Sequence, residues 1–222
     1  MRKEYIIIIG VLALAAVGLY VGSKYYGGTI ETPKPDPKAA EMMVRPDSPS
    51  LGPADAKVTI VEFLDPECET CAVFAPIVKK VARDSGENVR LVVRYAPFHK
   101  NARIAAIFTE AAGQQGKYWE MQDKLFAKQS EWGEVHGHGA PTGPPPDPRE
   151  KFIKYAEELG LNIAQLRAAV DDPKLGAKVD RDLQDTRTLG VRSTPTIYVN
   201  GRKLSKLNEG ELRGLIAEEL KK

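Results

Sequence analysis

Cysteine occurs only twice in the 222 residues and histidine three times, so the chain holds neither a disulfide-dense scaffold nor the thiols of a four-cysteine zinc site. Aromatic residues make up 7%, too few for rows of stacking platforms, and 32 Lys plus Arg stand against 30 Asp plus Glu without any basic block. A net charge of +2 gives no field that would draw in a phosphate backbone, and no nucleic-acid partner is expected. What remains, at 42% hydrophobic and 28% charged content, is a folded chain of one or two domains.

Uninterrupted apolar runs are also scarce, with one exception. Tyr5 to Ser23 reads YIIIIGVLALAAVGLYVGS, nineteen residues without a charge. At ~1.5 Å per residue such a run spans about 28 Å as a helix, close to the ~30 Å of a bilayer core and longer than the core of a signal peptide. Residues 1–23 therefore read as a transmembrane anchor, with a cleaved signal peptide as the alternative. From 24 to 53 the chain is rich in Pro, Gly and charge, which reads as a linker spanning roughly 30 Å as a coil. Residues 54–222 are enough for one domain with a substantial core.

Within that domain Val58 to Leu64 and Val89 to Tyr95 are β-rich runs. Phe74, Ile77, Val78 and Val81 between them mark a helix, which Pro76 should bend. Strand, helix, strand is most simply a right-handed parallel crossover. A helical block follows, about 97–190, interrupted by the Gly- and Pro-rich stretch Gly133 to Pro148. Thr196 to Val199, Asn200-Gly201 and Arg202 to Leu204 form a hairpin, and a helix capped by Asn208 closes the chain.

Cys68-Glu-Thr-Cys71 sits directly after the first strand at the start of a helix, where unpaired backbone amides and the helix dipole favour a thiolate. The three-residue offset brings the sulfurs close enough to join. Half of a zinc site would need two further ligands, with only His99, His136 and His138 on offer. A purely structural disulfide would close so short a loop that it restrains the unfolded chain very little. Redox exchange is favoured, with Cys68 attacking and Cys71 resolving, and no metal or other cofactor is called for. Glu62 interrupts an apolar strand six residues earlier; if that strand is central, the carboxyl is buried, its pKa is raised, and it can accept a proton when Cys71 ionises. Pro195 opens the third strand, and on priors alone its peptide bond is trans.

The stretch from Ile60 to Pro76, with an acid, C-x-x-C six residues on, Phe74 and Pro76, resembles the thioredoxin superfamily, as does Thr194-Pro195 before a strand and an Asn-Gly hairpin. Pro97-Phe98-His99 after the second strand and Gly116-Lys-Tyr-Trp-Glu-Met121 opening a helix are similar to the DsbA-type thiol–disulfide oxidoreductases. The resemblance implies an α/β thioredoxin fold with an inserted helical domain, behind the N-terminal transmembrane helix. It also implies Cys68 as nucleophile, Cys71 as resolving thiol, Glu62 as buried acid, and Thr194-Pro195 as a cis-proline platform that receives substrate beside the sulfurs. The chain departs from DsbA between its cysteines, where Glu69-Thr70 replaces Pro-His. Glu69, with Glu67 just before the motif, should raise the Cys68 pKa and make the dithiol less oxidising.

The function expected is that of a membrane-tethered, monomeric thiol–disulfide oxidoreductase on the extracytoplasmic side. Its partners would be proteins carrying thiols or disulfides and a membrane redox partner that recycles the dithiol. Reduction or isomerisation as the working direction, and a non-catalytic module that holds a metal or a protein, stand as alternatives.

Overall fold

The computed structural model describes residues 37–134 and 147–222, together with Leu12, Ala13, Ala15, Val17, Gly18 and Tyr20. The chain forms two units, Met1–Lys34 and Pro35–Lys222. In the first, the six described residues are helical and exposed. The anchor expected over 1–23 otherwise lies outside the described residues, among which no helix is long and apolar enough to cross a membrane. The histidines at 136 and 138 also lie outside them.

In the second unit a short helix, α1 (Pro37–Met43), precedes a five-stranded sheet of order β1-β3-β2-β4-β5. Its strands are β1 (Ser50–Leu51), β2 (Val58–Leu64), β3 (Val89–Tyr95), β4 (Thr196–Val199) and β5 (Arg202–Lys203). β2 and β3 run parallel, joined by the crossover helix α2 (Glu69–Asp84), while β1, β4 and β5 add to the sheet antiparallel. α2 continues through Pro76 without a break. Between β3 and β4 come α3 (Ala102–Gly113), α4 (Tyr118–Ala127), α5 (Gln129–Trp132), α6 (Arg149–Glu158), α7 (Ile163–Asp171) and α8 (Pro173–Thr188); α9 (Glu209–Leu220) ends the fold. The local signals act as chemistry requires. Asn162, Asp172 and Asn208 accept backbone N–H bonds at their helix starts, and Asn200 and Gly201 take the positive φ values of 46° and 81° that a two-residue hairpin needs.

The second half of the expected 24–53 linker needs correction. β1 pairs with Leu91 and Val92 of β3, and Met43 of α1 is buried against the sheet with Phe63, Val92 and Tyr198. Left bare, β3 would be an exposed edge, and two paired residues plus one apolar side chain suffice to cover it. So short a contribution makes no hydrophobic period in the sequence, which is why composition alone read as a tether.

Both faces of β2 are buried. Val61 and Phe63 face α1, whereas Ile60, Glu62 and Leu64 face the helices. On that helical side one cluster joins the strand ends and both cysteines to α3, α4 and α6 through Phe108, Met121 and Phe152, and a second packs α2 and α9 on the sheet through Val78, Val81, Leu212 and Ile216. A buried charge cluster ties the helical block to the sheet. Arg94 of β3 is fully buried and donates to Asp182 and Asp185 of α8 at 2.8 and 2.7 Å. It also reaches the Met42 carbonyl, and Arg45 pairs with Asp185 at 2.8 Å. Asp182 in turn accepts from the Tyr95 N–H at 3.1 Å.

Removing one member strands a buried charge, which typically costs about 3–5 kcal/mol. Asp182→Ala should therefore lower the urea-unfolding free energy of the chain by about 3 kcal/mol, whereas Arg103→Ala, whose partner Asp180 is exposed, should change it by less than about 1 kcal/mol. Equal losses in the two variants would show that the buried cluster has no special weight.

Candidate active site

Cys68 is the N-cap residue of α2, so its sulfur sits where the first helical amides have no partner within the helix. Its backbone N–H donates to the Asp65 carbonyl at 3.1 Å, which bends the chain tightly from strand to helix. Both cysteines are free thiols. Cys71 is fully buried one turn along, and its Sγ accepts from the Asp65 N–H at 3.5 Å. Across the cleft the Thr194–Pro195 bond is cis, and the Cys68 thiol lies 3.4 Å from the Thr194 carbonyl oxygen. The structure thus brings Cys68, Cys71, Thr194 and Pro195 together.

The two sulfurs differ sharply in their protonation. Hydrogen bonding from the Cys71 thiol, aided by the Thr194 side chain and the backbone amides of Cys71 and Thr70, outweighs burial and lowers the Cys68 pKa to about 5. Burial, reinforced by the neighbouring Cys68 charge, pushes the Cys71 thiol far up. One sulfur is a thiolate at neutral pH and the other holds its proton.

Glu62 lies on the central strand between Val93 of β3 and Ile197 of β4, at 1% exposure. Burial raises its pKa to about 8, against the opposing pull of the Lys79 ammonium, and its Oε1 has no hydrogen-bond partner. At neutral pH the carboxyl is therefore mostly protonated, so it is poised first to give a proton to a departing Cys71 thiolate. Its ionised fraction does the reverse, the acceptor role expected from the sequence. Lys79, itself buried, is tied to Asp123 of α4 and lies 5.8 Å from the Trp119 ring centre.

The net lowering of the Cys68 pKa runs against the direction in which Glu67 and Glu69 were expected to move it. Glu67 turns inward, where its carboxylate accepts from the Asn101 and Glu134 amides at 2.6 and 2.8 Å. Glu69 is exposed, where solvent screens it. Thr70 contributes through its main-chain amide.

The joining of Asp65 to His99 at this site was not foreseen from the sequence. Asp65 is fully buried, and one carboxylate oxygen accepts from the Phe98 and His99 amides and meets His99 Nδ1, at 2.7, 3.0 and 2.8 Å; the other accepts from the Glu67 N–H at 2.7 Å. Although burial works against it, the His99 imidazolium is favoured by Asp65 and by the Cys68 and Glu67 charges. The Asp65–Glu67 turn has a sequence signal, an Asx residue closing on the amide two residues later. The union with residues 98 and 99 has none.

A family model described as Thioredoxin matches residues 45–218. Among solved structures, the oxidised form of BdbD from Bacillus subtilis superposes with a TM-score of 0.65 at 26% identity, covering 79% of this chain and 94% of that one. A thioredoxin-like oxidoreductase from Silicibacter pomeroyi DSS-3 gives 0.66 at 25% identity, covering 82% and 98%. Among curated proteins, a Na(+)/H(+) antiporter NhaA from Herminiimonas arsenicoxydans is 36% identical over 169 residues, 76% of this chain and 25% of its own length. The chain spans about a quarter of the length of the curated relatives it matches.

The pKa shifts make two expectations concrete. Ultraviolet absorbance of the reduced chain should report one thiolate that titrates near pH 5, where an ordinary thiol would titrate near ~8.5. For stability the two groups oppose each other. The lowered Cys68 pKa adds stability that is complete above about 9 and is lost as the pH falls through about 5. The raised Glu62 pKa has the opposite sign, so its contribution is complete below about 4.5 and is lost as the pH rises to about 8. In Cys68→Ser the urea midpoint should therefore fall between pH 4.5 and 8, and adding Glu62→Gln should flatten that fall. A slope unchanged by Glu62→Gln would remove the carboxyl as its source.

Proposed function

This chain belongs to the thioredoxin family as a DsbA-type thiol–disulfide oxidoreductase, and on that premise we propose that it exchanges disulfides with extracytoplasmic proteins through Cys68 and Cys71, from a membrane tether at its N-terminus. The observation that carries the dithiol is the pair of unlike sulfurs at the start of α2, a thiolate in front that keeps 9% exposure and a fully buried protonated thiol behind it. A thiolate attacks a disulfide only if it is both ionised and reachable, and Cys68 meets both conditions.

In the oxidising direction a substrate thiolate attacks Cys68 of the enzyme's Cys68–Cys71 disulfide. The Sγ–Sγ bond breaks, Cys71 leaves with the electron pair, and Glu62 supplies its proton. A second substrate thiolate then attacks its own sulfur in the mixed disulfide and releases Cys68 as a stable thiolate. Stabilising that thiolate stabilises the reduced enzyme, which supports oxidation as the working direction. The Thr194 main chain beside Pro195 lies within reach of the Cys68 sulfur, a position suited to hold an extended substrate segment against it. The tether and the extracytoplasmic placement rest on the apolar run Tyr5 to Ser23. The antiporters' activity is that of proteins about four times as long as the segment matched, and it is not carried over.

Oxidative refolding of a reduced, disulfide-containing protein should proceed with the wild-type chain and stop with Cys68→Ser; equal inactivity of both would sink the catalytic reading. Trapping the thiols in intact cells should find the pair mostly oxidised, and a mostly reduced pair would reverse the direction to reduction or isomerisation. The full chain should sediment with membranes and resist extraction by salt; recovery in the soluble fraction would remove the tether.

A further inference from the structure

The chemistry at Cys71 needs a proton to travel, yet Cys71 and Glu62 are both sealed from solvent and the front of the site is the face that a bound substrate covers. Behind Glu62 lies a chain of hydroxyl and carboxyl groups that the exchange reaction itself does not use. Glu62 and Tyr95 point to the same face of the sheet from adjacent strands: Glu62 is level with Val93, and Tyr95 is two residues further along β3. The Tyr95 hydroxyl meets the Tyr118 hydroxyl of α4 at 2.9 Å, with both rings buried. One turn further along α4, Gln122 Nε2 is buried with no partner, as is Glu62 Oε1.

Beyond the tyrosines stands Glu110 of α3, only 8% exposed. Its Oε2 accepts from Lys178 at 2.5 Å, while its Oε1 has no partner at hydrogen-bonding distance, although the Tyr95 hydroxyl is near enough to favour its ionised form. Glu110, Tyr118, Trp119, Lys174 and Lys178 line an open cleft of about 500 Å³ between α3, α4 and α8. Unpartnered polar atoms of Glu62, Gln122 and Glu110 thus flank the tyrosine pair between the buried acid and the cleft.

We propose that Tyr118, Tyr95 and Glu110 form a proton route from Glu62 to this cleft, so that the proton gained or lost at Cys71 moves through the back of the site while substrate occupies the front. This rests on the proposed role of Glu62 toward Cys71. When Cys71 attacks a mixed disulfide, its S–H proton goes to Glu62, its electron pair forms the bond to Cys68 Sγ, and the Cys68–substrate bond breaks with its pair on the departing sulfur. The proton then passes from Glu62 to Tyr118, Tyr95 and Glu110, each hydroxyl accepting one proton and giving up another, so no tyrosinate forms. The Tyr118 phenol lies close enough to Glu62 to feel its charge, and the route requires one water between Glu62 Oε1 and that first hydroxyl. The charged and titratable groups around the route are Lys79 and Cys71 of α2 at its inner end, and Lys178 and Asp182 of α8 at its outer end.

The test uses the full chain in detergent and an aryl disulfide, dithiobis-nitrobenzoate. Attack by Cys68 releases one coloured thiolate, and resolution by Cys71 releases the second. Tyr118→Phe and Tyr95→Phe should leave the first release unchanged, which reports an intact fold around Cys68, while slowing the second release about a hundredfold, the lower end of what a positioned proton-transfer step contributes. The slowed phase should carry a larger solvent deuterium effect than in wild type. Glu110→Gln, which leaves the tyrosine packing in place, should do the same. A second release at the wild-type rate and isotope effect in all three variants would overturn the route while leaving the dithiol reading intact. Absence of the second release from the wild-type chain would remove both.

Discussion

The placement of the two sulfurs depends on Asp65. Its backbone N–H touches Cys71, its carbonyl accepts from Cys68, and its buried carboxylate gathers the amides of Glu67, Phe98 and His99. A carboxylate buried without such donors would be costly, so the loop after β3 is drawn in beside the start of α2 as much by its need as by apolar packing. That one residue joins the strand, the helix carrying the dithiol, and the loop leading into the helical block. The thiolate can then be served by main-chain amides whose positions are fixed before any substrate arrives.

The electrostatics of the site follow from burial arranged in depth. Cys68 keeps a little exposure at the helix start and its pKa is lowered by donors; Cys71, one turn deeper, is raised by the loss of water and by the charge in front of it. Glu62, deeper again on the central strand, keeps its proton into the neutral range. Each group holds the protonation state that the next step of exchange consumes. Opposite linkage signs for Cys68 and Glu62 let the fold carry both perturbed groups across the same pH range with partial cancellation.

The helical block is held to the sheet in two chemically different ways. Apolar packing around Phe108, Met121 and Phe152 supplies most of the contact, while the Arg94 cluster fixes the register of α8 against β3 and takes in the segment before β1. Buried ion pairs of this kind are weak sources of net stability but strongly penalise a misplaced partner. For a block that supplies Tyr118, Glu110 and the Asn101 amide to the region behind and beside the dithiol, orientation is what matters.

The sequence by itself determined the elements and the reactive pair. The crossover strands, the hairpin at Asn200-Gly201, the helix caps, and Cys68 and Cys71 at a strand-to-helix junction all follow from local periodicity, local hydrogen bonding and fixed spacing. Burial of Glu62 could be argued because an acid inside an apolar strand has few other places to go. What only the tertiary structure decided is everything that depends on distant segments meeting: Asp65 holding His99, Glu67 turned away from the thiolate, β1 covering the edge of β3, Arg94 closing on α8, and Tyr118 touching Tyr95. These contacts join residues 23 to 91 positions apart or cover an edge with two residues, so they leave no periodic trace in the sequence. Their free energy comes from satisfying polar groups that exist as buried groups only after the chain has closed around them.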